Sequence, residues 1–160
     1  MEVATFEPLT DYEIERGKPM PSLLHAVIQK RLTVYLDTRY EGQFEVLPEL
    51  TLDTPGEKSI PDICLCPWEP IDFFHDEIKR KEPPLATIEI LSPTQVLQTL
   101  LDKTVDYFSF GVKSCWVVIP ALKSIYVFKS PFYHEVFSMG EEVHDPNLDI
   151  RVPMDLIFAS

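Results

Sequence analysis

LATIEILSPTQVLQTLLDKTVDYFSFGVKSCWVVIP, residues 85–120, is the stretch from which the fold follows. Its opening, Leu85 to Leu91, carries apolar side chains on both parities, the pattern of a central strand covered on both faces. Ser92-Pro93-Thr94-Gln95 then reads as a capping box, with Ser92 at N-cap, Pro93 at N1 and Gln95 at N3. The spacing predicts a helix from Pro93 to Phe110, stopped by Gly111 at the position after its end. Its apolar stripe is Val96, Leu97, Leu100, Leu101, Val105, Tyr107 and Phe108. The strand SCWVVIP follows at once. Strand, helix and strand with short links make a right-handed crossover, which sets the two strands parallel.

Upstream, Pro21-Ser22 introduces LLHAVIQKRLTVYLDT, an amphipathic helix with Leu24, Val27, Ile28, Leu32, Tyr35 and Leu36 apolar and Ser22 as N-cap. QFEVLPELTLD alternates as a strand, and Pro48 marks an edge or bulge within it. Thr54-Pro55-Gly56 is a turn. SIPDICLC is a second strand, antiparallel to the first if a hairpin joins them. Residues 67–84 hold four prolines and a charged cluster, hence a loop, with one short helical turn expected around Phe73 to Ile78. Downstream, SIYVFKS and YHEVFS are two more short strands, followed by a polar stretch and the tail RVPMDLIF. Residues 1–18 read as an N-terminal arm. The expected architecture is one α/β domain over residues 1–160, a mixed β-sheet flanked by helices with an αβββαβ core plus a C-terminal hairpin.

Composition bounds what such a domain does. Apolar residues make up 45% of the 160-residue chain and aromatics 11%, enough for a packed core and no case for disorder. The apolar runs are too short to span a bilayer, and the acidic start MEVATFEPLTDYEIERG lacks the basic and apolar regions of a signal peptide. The cytoplasm is therefore the expected location. Cys64 and Cys66 alternate with Ile63 and Leu65 on one strand face. With no second pair and no nearby His they are read as buried thiols rather than a zinc site. The formal charge of −12 argues against a broad nucleic-acid surface. Positive charge concentrates only at Lys30-Arg31, Arg39 and Lys79-Arg80-Lys81, which are expected to rim any cleft that meets phosphate.

Two acids interrupt strands that otherwise demand burial. Asp62 follows Pro61 and precedes Ile-Cys-Leu-Cys, and Glu89 stands among Ala86, Ile88, Ile90 and Leu91. An ionised carboxylate removed from water costs several kcal/mol unless a cation, hydrogen bonds or solvent answers it. Hard divalent ions such as Mg²⁺ meet that need with one or two carboxylates plus water and phosphate. Taken singly, each acid also reads as a turn residue or as the partner of a surface lysine. Lys103 falls at the border of its helix's apolar stripe. It either snorkels at the rim or brings its ammonium back toward the Glu89 strand.

Pro61-Asp62, Glu89-Ile90-Leu91-Ser92-Pro93, Lys103, Tyr107, Gly111-Val112 and Trp116, in that order, resemble the PD-(D/E)XK nuclease superfamily, and within it the Uma-two family of restriction-endonuclease-like proteins. The likeness runs from about His25 to the C-terminus. Two positions depart from the pattern: Leu91 stands where the superfamily has lysine, so Lys103 would supply it, and Cys115 replaces a usual Tyr. The resemblance implies a Mg²⁺- or Mn²⁺-dependent endonuclease acting on nucleic acid, DNA first, as a homodimer. Asp62 and Glu89 would hold the metal, with Glu49 completing its shell, and Lys103 would position or activate the nucleophile. His25 matches a frequent family histidine, though a histidine on such a helix is more often a core or rim residue. The rival reading is a non-catalytic binding or protein-interaction module on a nuclease scaffold, which the acidic surface favours.

Overall fold

The computed structural model describes residues 8–56 and 59–160. Its elements in chain order are α1 (Asp11–Arg16), α2 (Leu23–Arg39), β1 (Phe44–Pro48), β2 (Ile63–Pro67), β3 (Ala86–Ile90), α3 (Leu97–Phe110), β4 (Ser114–Ile119), β5 (Ser124–Ser130), β6 (Tyr133–Phe137), β7 (Glu142–Asp145), β8 (Ile150–Pro153) and α4 (Met154–Ile157). Strands β1 to β6 form one sheet in sequence order, and β7–β8 form a separate ribbon. Every neighbouring pair in the main sheet is antiparallel except β3–β4, where Ala86 to Ile90 run parallel to Ser114 to Val118. The crossover through α3 therefore exists as the central stretch demands.

Parity sorts the two cores. Ile63 and Leu65 of β2, Ile88 and Ile90 of β3, and Trp116 and Val118 of β4 face α2, which contributes Ile28, Leu32 and Leu36; the β7–β8 ribbon and α4 close this core. On the opposite face Leu100 and Tyr107 of α3 pack with Cys115, Val117 and Phe128. Cys64, Cys66 and Cys115 are free and buried, matching the reading of the first two as packed thiols. Within the first core Asp145 is buried, but it accepts from Ser114 Oγ, Trp116 Nε1 and the Asn147 N–H. That carboxylate is a fully bonded structural pin joining the ribbon to β4.

Three local expectations change. Helix α3 begins at Leu97 after N-cap Val96, not at Pro93. Only half of the capping box forms: Gln95 Oε1 accepts the Ser92 N–H at 3.4 Å, but the Gln95 N–H is taken by the Ser92 carbonyl at 3.0 Å. That closes a turn over residues 92–95 instead of opening a helix, and it leaves Val96 exposed rather than in the stripe. Residues 73–78 form no helical turn. Asp72 accepts the Phe74 N–H and Asp76 accepts the Glu77 N–H, side-chain bonds that compete with helical ones. The N-terminal arm contains α1, capped by a complete Thr10–Glu13 box and ended by Gly17 at φ +76°. A residue with a Cβ rarely adopts that conformation, and it turns the chain so that Lys18 points inward.

Candidate active site

The site forms where the sheet's second and third strands meet α2, α3 and the segment after α1. Asp62 occupies a bend immediately before β2. Its backbone carbonyl accepts from Gln29 Nε2 at 2.9 Å and from the Glu49 N–H at 3.2 Å, so α2 and the exit of β1 clamp it. Its carboxylate is fully engaged. Oδ2 accepts the Ile90 N–H at 2.7 Å, while Oδ1 takes the Lys18 ammonium at 2.5 Å and His25 Nε2 at 3.1 Å. The side chains of Lys18 and Asp62 are 4% and 1% exposed, so this is a buried ion pair rather than a surface one.

Glu89 lies on the α3 face of β3, buried between two lysines. Tyr107 donates its hydroxyl to Oε1 at 2.6 Å, and Lys103 Nζ stands 3.9 Å from the same oxygen. Lys18 Nζ lies 4.0 Å from Oε2, which is buried and has no hydrogen-bond donor among the described residues. Lys103 and Tyr107 are one helical turn apart on α3, which is why both reach one carboxylate oxygen. Lys103 keeps 17% of its side chain exposed, so its stem covers the rim while its ammonium faces inward.

The two carboxyls differ in their proton affinity. Burial alone would raise that of Asp62. The hydrogen bond from His25 and the Lys18 ammonium outweigh burial and hold the carboxyl well below the usual carboxylate range. Burial raises Glu89, and the nearby Asp62 charge adds to this, while Lys18, Lys103 and the Tyr107 hydroxyl offset only part. Burial and the adjacent Glu89 also raise the Tyr107 phenol, so it remains a donor across the physiological range.

The structure thus brings Asp62, Glu89 and Lys103 into one cluster and adds His25, Tyr107 and Lys18 to it. Glu49 touches this cluster through its backbone. Its side chain is exposed, and among the described residues no group of three or more His, Cys, Asp or Glu stands at metal-holding spacing. Glu89 Oε2, a buried carboxyl oxygen with no donor among the described residues, is the observation that suits a hard cation here. Lys18 was missed in the sequence. The Thr10–Glu13 capping box and Gly17 signal a helix ending there, but nothing local says that the next residue reaches an acid 44 positions away.

The basic clusters fare differently. Arg31 donates to the Ile157 and Ala159 carbonyls, and Arg80 pairs with Glu69, Glu77 and Glu82. Both are engaged by groups of the chain itself, Arg80 at the surface, so the positive charge free for phosphate contact is smaller than the sequence suggests.

Tyr107→Phe isolates one supporting bond. It keeps the ring in the core and removes the hydroxyl that bonds Glu89 Oε1, so a loss of about 1–3 kcal/mol in unfolding free energy is expected from urea titration. An unchanged midpoint would mean that water or Lys103 replaces the bond at no cost.

Comparison with known proteins bears on what this cluster is for. The family model described as "Uma2: Putative restriction endonuclease" matches residues 5–152. Among solved structures, "a putative nuclease belonging to DUF820" from Anabaena variabilis ATCC 29413 superposes with a TM-score of 0.78, covering 88% of this chain and 83% of that one at 21% sequence identity. At that identity the likeness establishes the fold. No curated protein gives a significant match.

Proposed function

Because the chain belongs to the Uma2 family of restriction-endonuclease-like proteins, we propose that it is a metal-dependent endonuclease cutting phosphodiester bonds of nucleic acid, DNA first. The observation that carries this reading is the pair of buried carboxyl groups ringed by cationic groups, with one buried oxygen, Glu89 Oε2, left without a donor among the described residues. Such a pair costs stability in a purely structural role, since apolar residues of similar volume would serve as well or better.

Asp62 and Glu89 would hold a Mg²⁺ or Mn²⁺ ion. When bound, the ion supplies charge on the scissile phosphate and lowers the pKa of bound water. Lys103 lies at the solvent-facing side of Glu89, where its ammonium can hold a water in line and stabilise negative charge gathering on phosphate. His25 donates from Nε2 to Asp62 and keeps that carboxylate ionised and oriented. Tyr107 fixes Glu89 from the other side. A homodimer, each copy cutting one strand, and a cytoplasmic location belong to the same proposal. Among the described residues, no helix is long and apolar enough to cross a membrane.

Supercoiled plasmid incubated with Mg²⁺ or Mn²⁺ tests this. Nicked and linear products are expected with the metal, none with EDTA, and none from Asp62→Asn. If the wild type cleaves neither DNA nor RNA with either ion, the rival reading takes over: an interaction module, favoured by the net charge of −12 and by the pairing of Arg31 and Arg80 with groups of the chain itself.

A further inference from the structure

Lys18 is the one member of the cluster delivered by the N-terminal segment, and the way that segment is held sets it apart. Glu13 clips it internally, accepting from the Thr10 N–H, the Thr10 hydroxyl and the Met20 N–H, while Gly17 closes the helix on the Glu13 and Ile14 carbonyls. Its larger apolar side chains, Leu9, Tyr12, Ile14 and Met20, are each more than half exposed. Apolar burial therefore does little to fasten this segment to the body. What is buried is the ammonium, 2.5 Å from Asp62 Oδ1 and 4.0 Å from Glu89 Oε2.

We infer that Lys18 is an internal counterion occupying the cation position of the Asp62–Glu89 pair, so that a divalent metal and Lys18 exclude one another and metal loading releases the segment over residues 10–20. This rests on the metal-dependent reading above. The exclusion follows from contact and charge. An oxygen already in contact with an ammonium has no room for a second cation on that side, and two positive charges at such a separation repel strongly where water is scarce. Lys103 does not compete in the same way, because its contact is with the other oxygen of Glu89 and its stem reaches solvent. Without metal, Lys18 answers the carboxylate charge and keeps the site folded. With metal, that charge is answered by the ion, and the segment that covered the acids is free to make way for substrate.

The test uses Mn²⁺ as the probe, titrated by calorimetry into wild type, Lys18→Met and Asp62→Asn, together with amide hydrogen exchange of residues 10–20 in the wild type with and without Mn²⁺. Lys18→Met should bind Mn²⁺ at least about tenfold more tightly than wild type, the scale of one removed like-charge neighbour. Exchange over residues 10–20 should accelerate with Mn²⁺ in the wild type and stay unchanged in Asp62→Asn. Equal or weaker binding by Lys18→Met, or Mn²⁺ binding that leaves exchange in this segment untouched, overturns the inference while sparing the metal site. Flat titrations for both wild type and Lys18→Met instead remove the metal site itself, and the inference with it. Should Lys18→Met fail to fold, the wild-type exchange measurement decides alone.

Discussion

Asp62→Ala is expected to lower the unfolding free energy by about 3–5 kcal/mol at neutral pH, the range for breaking one side of a buried ion pair. The substitution leaves the Lys18 ammonium without its contact, His25 Nε2 without an acceptor and the Ile90 N–H unpaired. Each of these groups is buried or part-buried, so water replaces the lost partner poorly. The pH dependence identifies the cause. The folded-state proton affinity of Asp62 lies below its unfolded value of about 3.9, so the stability it contributes is present above that pH and is lost as pH falls toward the folded value. Urea midpoints for the wild type and the variant should therefore stand furthest apart near neutrality and converge in acid below about pH 4. A difference that stays constant down to acid would assign the loss to packing and hydrogen bonding alone. The same substitution is expected to abolish metal-dependent cleavage, since it removes one of the two carboxylates proposed to hold the ion.

Lys103→Met separates mechanism from structure more cleanly, because it keeps the aliphatic length and removes only the charge. The ammonium is 3.9 Å from Glu89 Oε1 and partly exposed, and Tyr107 remains to bond that oxygen. The variant is therefore expected to fold, to bind Mn²⁺, and to lose phosphodiesterase activity by at least about 100-fold, the scale of one positioned electrostatic group. The loss should fall on kcat rather than on substrate affinity, because the group acts on charge that develops during reaction. Full activity in Lys103→Met would remove this residue from the mechanism. Against Lys18→Met the contrast is diagnostic: one variant should bind metal unchanged and react slowly, the other should bind it more tightly.

What the sequence determined by itself was whatever local periodicity and turn chemistry specify. Apolar residues on both parities at Leu85 to Leu91, a helical stripe through Leu100 and Tyr107, and Gly111 after it were enough for the parallel β3–β4 pair and the α3 crossover. Ser22 set the start of α2 for the same reason, since its hydroxyl accepts the His25 N–H within one turn. The misplaced start of α3 shows the boundary of that method: a capping box and a closed turn use the same Ser92 and Gln95 groups, and only the exit path of β3, where the Leu91 N–H still bonds Val118, chooses between them. The acids at Asp62 and Glu89 were legible because charge within an apolar run is anomalous wherever the run ends up. Of their partners, Lys103 was legible from its helix register and His25 and Tyr107 only through the family resemblance, while Lys18 carried no signal. They become a site because separate elements converge on the ends of β2 and β3. Glu49 sits at φ +53° just after β1, its side chain exposed and its N–H on the Asp62 carbonyl. Local sequence specifies which groups are costly to bury; only the tertiary packing decides which cation is brought to meet them, because that choice is made between residues far apart in the chain.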